Sequence, residues 1–315
     1  MKSLLFVAFF VFACASLHAQ KPIWQPSPGH TQVQLWPGDA PDAEFGPTTN
    51  SETVETVTKS PVAGRPWLAV QNVSRPTMTV YSPNVKNAGV AVIVLPGGGY
   101  NVLAIDLEGT EVCDWLTSKG ITCVLLKYRV PHTGPQWDGN HQNIPKAPMA
   151  LQDAQRTIGL VRLRAAEYHI DPHKIGVLGF SAGGHLVADI STHFDKRSYP
   201  DVDPADKESC RPDFAVALYP GHLWIGSEKF ELNPDVPVTR QTPPTFLLQA
   251  ENDPVDTIGN SLVYYIALKN AGVPAEMHLY AEGKHAFGLR ATQHPITRWP
   301  QLVESWLRTI GLITP

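Results

Sequence analysis

Apolar residues follow two rhythms along this chain, and the rhythms alternate. Val90 to Leu95, Gly120 to Tyr128 ("GITCVLLKY") and Ile175 to Leu178 are short, nearly continuous apolar runs, the pattern of strands buried on both faces of a parallel sheet. Strand-and-turn units follow at "FAVALYPG" (Phe214 to Gly221), at "TFLLQAENDP" (Thr245 to Pro254) and over Glu276 to Tyr280. Between them lie segments with helical spacing: Gly109 to Ser118, Met149 to Tyr168, Ser261 to Ala271, and a closing helix with Leu302, Val303, Trp306, Leu307 and Ile310 on one face. In the long helix Leu151, Ala154, Ile158, Val161, Ala165 and Tyr168 form the apolar face, leaving Asp153, Gln155, Arg156 and Arg162 for the others. The stretch Lys21 to Asn87 is rich in proline and β-branched residues. Its alternating segments Thr53 to Thr58 and Thr77 to Pro83 predict exposed-edge strands leading antiparallel into the sheet. Strand and helix in alternation predict an α/β protein: a mostly parallel, doubly wound sheet with helices on both faces. The polar stretch "VPHTGPQWDGNHQNIPKAP" (Val130 to Pro148) is long for a connector and is a candidate lid or binding loop.

Composition narrows the partners more than the fold. With 315 residues, 43% of them hydrophobic, and a formal net charge of −4, the chain can bury a sizeable core as one domain. No basic patch marks it as a partner of nucleic acid, and no stable membrane partner is expected. The first twenty residues have signal-peptide order: Lys2, an apolar run from Leu4 to Ala13, and small residues near Ala19. Cleavage after Ala19 or Gln20 would leave residues 21–315 as a single catalytic domain, secreted or periplasmic. Lipidation at Cys14 is the rival reading of the same leader. Of the other cysteines, Cys113, Cys123 and Cys210 are odd in number and lack metal-ligand spacing. One bridge is the most they can form, and the favoured reading is three small buried hydrophobes.

The chemistry gathers at "KIGVLGFSAGGHLVADI", Lys174 to Ile190, where Gly179, Phe180, Ser181, Ala182 and Gly183 spell G-x-S-x-G between a strand and a helix. Such a turn lifts one hydroxyl off the sheet edge, with glycines where side chains would clash. A serine hydroxyl needs a base to remove its proton, and the base needs a third group to hold its tautomer. His285, in "EGKHAFG" just after a strand, is the candidate base. Asp253, at the end of the preceding strand, is the candidate orienting acid, with Asp256 and Glu251 as alternatives. His185 lies one helical turn after Ser181, where its side chain is carried into helix packing rather than over the hydroxyl. Donors for an oxyanion are expected from the N–H of Ala182 and from the loop "LPGGGY", through Gly98 or Gly99. That loop lacks the lysine and hydroxyl residue of a P-loop and the spacing of a dinucleotide fingerprint. Asp106 and Glu108, just beyond it, are expected to cap the next helix. The chemistry requires no metal and no organic cofactor.

Taken together, "VIVLPGGGYNVLAIDLEG", "KYRVP", "LQDAQRTIGLVR", "HIDPHKIGVLGFSAGGHL", "DFAVALYPG", "QAENDPVD" and "LKNAGVPAEMHLYAEGKHAFGLR" resemble the α/β-hydrolases of the esterase and lipase branch. Within that branch they look like the secreted carbohydrate esterases grouped with acetyl xylan and feruloyl esterases. The resemblance covers Val70 to Gly311. It implies an α/β-hydrolase fold, Ser181 as nucleophile, Asp253 as orienting acid, His285 as base, and an acylated carbohydrate as substrate. Pro96 departs from the histidine that many relatives carry before the oxyanion glycines, and Asp256 stands where other side chains are usual. Tyr100, Trp137 and Trp224 are candidate sugar-contacting aromatics. A feruloyl or general short-chain carboxylesterase is the alternative activity, and a carbohydrate-binding protein without catalysis is the alternative outside enzymes. A serine peptidase would need an accessory domain for which the chain has no room.

Overall fold

A computed structural model describes residues 23–43, 51–130, 148–226 and 229–314. The expected leader with Cys14, and residues 131–147 of the Val130 to Pro148 lid candidate, Trp137 among them, lie outside the described residues.

Among the described residues eleven strands and five α-helices are arranged in chain order: β1 (Gln32–Gln34), β2 (Thr53–Val62), β3 (Arg65–Gln71), β4 (Thr77–Tyr81), β5 (Ala91–Leu95), β6 (Val102–Ala104), α1 (Glu111–Ser118), β7 (Thr122–Lys127), α2 (Pro148–Leu163), β8 (Ile175–Phe180), α3 (Ala182–Ile190), β9 (Ala215–Leu218), β10 (Thr245–Ala250), α4 (Gly259–Asn270), β11 (Ala275–Tyr280) and α5 (Trp299–Thr309). Eight of the strands form the central sheet in the order β1-β4-β7-β5-β8-β9-β10-β11. From β7 to β11 every neighbouring pair is parallel, while β4 runs antiparallel to both β7 and β1. Every residue of β5, β7, β8, β9 and β10 is buried. This explains their unbroken apolar sequences, because helices cover both faces. The edge strand β11 is only partly covered, and its sequence AEMHLY mixes polar with apolar residues accordingly. Among the described residues no helix is long and apolar enough to cross a membrane.

The fold departs from the sequence pattern in four places. The N-terminal strands do not all join the main sheet: β2 and β3 pair antiparallel and, with β6, make a separate three-stranded sheet. Thr77–Tyr81 is no exposed edge, since β1 covers it and four of its five residues are buried. The long helix ends at Leu163, after which the chain tightens into turns that carry His169 at φ +55°. Finally, the polar residues of α2 do not face water. Asp153, Gln155 and Arg156 are buried, because the helix is packed on several sides and its charges are paired: Asp153 with Arg129, Arg156 with Asp203 and Asp206.

The cysteines also depart from the favoured reading. Cys113 of α1 and Cys123 of β7 form a disulfide, and among the described residues Cys210 is the free, buried thiol. The turn from Lys119 to Ile121 folds α1 back against β7, so residues ten apart in sequence come face to face. A spacing pattern alone does not reveal that reversal.

Candidate active site

The nucleophile candidate sits where β8 turns into α3. Ser181 has φ 53° and ψ −119°, a conformation rare for a side-chain-bearing residue and held here by what surrounds it. Gly183 permits the turn: a Cβ there would run into the Leu95 carbonyl oxygen of the neighbouring strand. Ser181 N–H donates to Leu218 O (3.1 Å) and its own carbonyl accepts from His185 N–H (2.9 Å), fixing the elbow between β9 and α3.

Two loops from successive strands complete the arrangement. Ser181 Oγ lies 2.9 Å from His285 Nε2, and on the other side of the ring Nδ1 lies 2.7 Å from Asp253 Oδ2. The other carboxylate oxygen of Asp253 accepts the N–H groups of Val255 (2.9 Å) and Asp256 (3.0 Å), so the loop after β10 is wound around this side chain. Asn252 Oδ1 accepts from Gly283 and Lys284 N–H (3.0 and 2.9 Å) and thereby ties the acid loop to the histidine loop. Tyr219 packs edge-on against the His285 ring at 5.0 Å between centroids. Burial works to lower the His285 pKa. The hydrogen bond from its Nδ1–H to Asp253 and the charges of Asp256, Asp253 and Glu108 outweigh it, so the net shift is upward.

Asp256, the alternative acid of the sequence pattern, takes a different position. It does not reach Nδ1; its Oδ2 accepts from Ser181 Oγ at 3.2 Å and lies 3.7 Å from His285 Nε2. Burial pushes its pKa up to about 6, against the pull of His285. Glu251, the other alternative, is exposed.

Around Ser181 opens a cavity of about 600 Å³, lined by Gly98, Gly99, Leu107, Glu108, His222, Val255, Asp256, His285 and Ala286, and on its outer wall by Ser60, Pro61, Val62 and Trp67 of the β2–β3 hairpin. Gly98 and Gly99 have φ +134° and +63°, and a Cβ on Gly98 would collide with the Val102 carbonyl. Gly97 N–H is held by Glu108 Oε2 at 2.8 Å, whereas no acceptor among the described residues engages the N–H of Gly98, Gly99 or Ala182. Pro96, in place of a histidine, presents its carbonyl to the Tyr128 hydroxyl and so anchors the base of this loop.

Two of the three aromatic expectations, Tyr100 and Trp224, differ from what the structure shows. Tyr100 is 3% exposed, with its hydroxyl 2.7 Å from His185 Nδ1, so it faces the interior behind the loop rather than the cavity. Burial keeps the His185 ring below its ordinary pKa. Trp224 points its Nε1 at the Lys229 carbonyl (3.0 Å) and packs near Phe230, outside the cavity wall. Among the described residues the tryptophan that lines the cavity is Trp67, a residue the sequence pattern does not single out. Glu108 was also misplaced: instead of capping a helix it lies in a π-helical turn, Asp106–Thr110, with Oε1 accepting from Tyr219 Oη at 2.8 Å. Burial raises its pKa. The acids inside the otherwise apolar and small-residue run "VLAIDLEG", a few residues after the glycine-rich loop, are the signal the sequence offers for it. Among the described residues no cluster of three or more His, Cys, Asp or Glu side chains could hold a metal ion.

Comparison with known proteins relates the chain to a family by its sequence and overall fold. A structure of an acetyl ester-xyloside bifunctional hydrolase from Caldicellulosiruptor lactoaceticus superposes with a TM-score of 0.67 and 32% identity, covering 90% of this chain and 97% of that one. The chain belongs to the α/β-hydrolase esterases. An α/β-hydrolase enzyme from a Medee basin deep-sea metagenome library is similar at 25% identity and a TM-score of 0.59, over 83% of this chain and 99% of that one. The BD-FAE family matches residues 78–218, the stretch from β4 to β9 that includes the oxyanion loop and Ser181. An acetylxylan esterase of Xylanibacter ruminicola is 29% identical over 71% of this esterase chain, and an endo-1,4-beta-xylanase B of Butyrivibrio fibrisolvens 26% identical over 67%. The chain spans 46% and 34% of the lengths of those two relatives.

Proposed function

We propose that this protein is a secreted serine esterase that removes acyl groups, foremost acetyl, from plant polysaccharide or oligosaccharide. The observation that carries the reading is the hydrogen-bonded line from Asp253 through His285 to Ser181, opening on the cavity floor. In this reading His285 Nε2 takes the Ser181 proton as Oγ attacks the ester carbonyl, and the negative oxygen of the tetrahedral adduct faces the N–H groups of Ala182 and of Gly98 or Gly99. The adduct collapses as its bond to the alcohol breaks and His285 returns the proton to the leaving oxygen. Water, deprotonated in turn by His285, attacks the acyl-serine; the acid leaves and Ser181 recovers its proton. Asp253 holds Nδ1–H throughout and stabilises the imidazolium.

The carbohydrate part of the proposal draws support from the xylan-related names of the relatives and from Trp67, whose aromatic face on the cavity wall suits a sugar ring. The Cys113–Cys123 disulfide supports export, because such bonds persist mainly in oxidising compartments. The test is mass spectrometry of acetylated xylo-oligosaccharides incubated with the wild type and with Ser181→Ala. Loss of acetyl mass is expected with the wild type, and a rate lower by about 10⁴-fold or more with the variant. Acetyl loss at wild-type rate by Ser181→Ala would refute the mechanism. Binding of the oligosaccharide by both proteins with turnover by neither would favour a carbohydrate-binding role instead.

A further inference from the structure

Ser181 has one hydroxyl proton and two acceptors within reach: His285 Nε2 at 2.9 Å and Asp256 Oδ2 at 3.2 Å. Attack on an ester requires that the proton go to His285. When it does, the buried Asp256 carboxyl loses the one side-chain or backbone donor it has among the described residues. A buried acceptor without a donor is costly, so a functioning site should supply another.

Asp256 is held too firmly to swing away. Its N–H donates to Asp253 Oδ1 at 3.0 Å, its carbonyl accepts from Gln249 Nε2, and its carboxyl fills the space over Gly221, where a Cβ would collide with Oδ1. Its position relative to the reaction is equally fixed. The carbonyl oxygen of an ester belongs on the side of Gly98, Gly99 and Ala182. The leaving oxygen must instead approach His285 Nε2 to receive its proton. Asp256 Oδ2, 3.7 Å from that same nitrogen, therefore stands beside the alcohol half of the substrate, within reach of an oxygen on the carbon next to the ester-bearing one.

We propose that Asp256 accepts a hydrogen bond from a hydroxyl on the alcohol part of the ester, adjacent to the bond being cleaved, and thereby selects esters of polyhydroxylated alcohols over esters of simple ones. This rests on the esterase reading of the site and deepens it by assigning the residue that reads the alcohol. A site built around a hydrogen bond to a substrate hydroxyl discriminates strongly against the analogue that lacks the donor, because its own polar group is then stranded. The charged groups that face Asp256 are His285 and Asp253, and neither can replace the donor: Asp253 has no proton to offer, and His285 gives its Nε2 proton to the leaving oxygen.

The test uses two small esters with one acyl group, 2-hydroxyethyl acetate and 2-methoxyethyl acetate, each rate normalised to alkaline hydrolysis. For the wild type we expect kcat/KM to favour the hydroxy ester by about tenfold or more. In Asp256→Ala the ratio should fall to near one, whatever the absolute rate, and in Asp256→Asn, which keeps an acceptor oxygen without the charge, it should be intermediate. A wild type that hydrolyses both esters without preference overturns the proposal while leaving the esterase reading intact, and so does a preference that persists in Asp256→Ala. If the wild type cleaves neither these esters nor acetylated xylo-oligosaccharides, the esterase reading fails and this proposal falls with it.

Discussion

Asp256 makes His285 harder to deprotonate, and this gives the pH profile a handle. His285 must be neutral to act as base, and its pKa lies above the ordinary histidine value, so kcat/KM should fall as pH drops through that raised value. Asp256→Asn removes a negative charge 3.7 Å from Nε2 and should move the acid limb to lower pH, as pH-rate profiles of the two proteins will show. The limb describes a coupled pair, because Asp256 itself titrates near pH 6. Its raised pKa also implies a stability cost. Relative to an unfolded chain, the buried carboxyl destabilises the native state progressively as pH rises from about 4 to 6, reaching roughly 3 kcal/mol above that window. Asp256→Asn should therefore raise Tm at pH 8, with the gain shrinking toward pH 5 in thermal unfolding scans. A residue that lowers stability beside a nucleophile is more readily explained by substrate than by packing. Much of this site was legible in residue types and order: Ser181, Asp253 and His285 each end or follow a recognisable strand. The role of Asp256 was not, because loop sequence does not say which of two carboxylates three residues apart turns toward Nδ1.

At the scale of elements, the parallel strands announced themselves because burial on both faces demands continuous apolar sequence. The three-stranded sheet of β2, β3 and β6 was hidden, because an exposed hairpin and an edge strand share the same alternation, and β6 is a three-residue strand inside a loop. That hairpin brings Trp67 to the cavity, so the missed element carried a missed lining residue with it. The turn between α1 and β7 hid the disulfide in the same way. Cys113–Cys123 closes a short loop between a surface helix and an interior strand, and such a bridge contributes about 2–3 kcal/mol in the chain-entropy view. The double variant Cys113→Ala, Cys123→Ala should show a Tm lowered by several degrees with kcat on a soluble acetate ester little changed at 25 °C, since neither residue lines the cavity. Differential scanning calorimetry and initial rates on the same preparation would check both halves.

Over the whole molecule, chemistry and anchorage are separated. The strand ends of β5, β8, β10 and β11 deliver the loops that carry Gly98 and Gly99, Ser181, Asp256 and His285. A different region, around α2, holds the N-terminal segment by buried charge: Trp36 lies under the guanidinium groups of Arg129 and Arg156, and its Nε1 donates to Asp153 Oδ1 at 2.9 Å. Arg156 also donates to the Leu35 carbonyl (3.0 Å) and to Asp203 and Asp206. Hydrogen bonds from Arg156 hold the Asp203 carboxyl below its ordinary pKa. This network was invisible as a network, because Asp153, Gln155 and Arg156 read as the solvent face of an amphipathic helix; only the packing of α2 against the residue 203–206 turn and the N-terminal segment shows why they are polar yet buried. Removing one partner of a buried pair strands the others, at a cost of about 3–5 kcal/mol. Arg156→Ala should accordingly lower the urea midpoint sharply and make the chain around Trp36 the first to be cut by protease. The Michaelis parameters of the protein that remains folded should stay those of the wild type, because Arg156 touches neither the cavity nor the loops that build it. Equal loss of kcat and stability in that variant would mean that the N-terminal clamp and the catalytic loops are one cooperative unit rather than two.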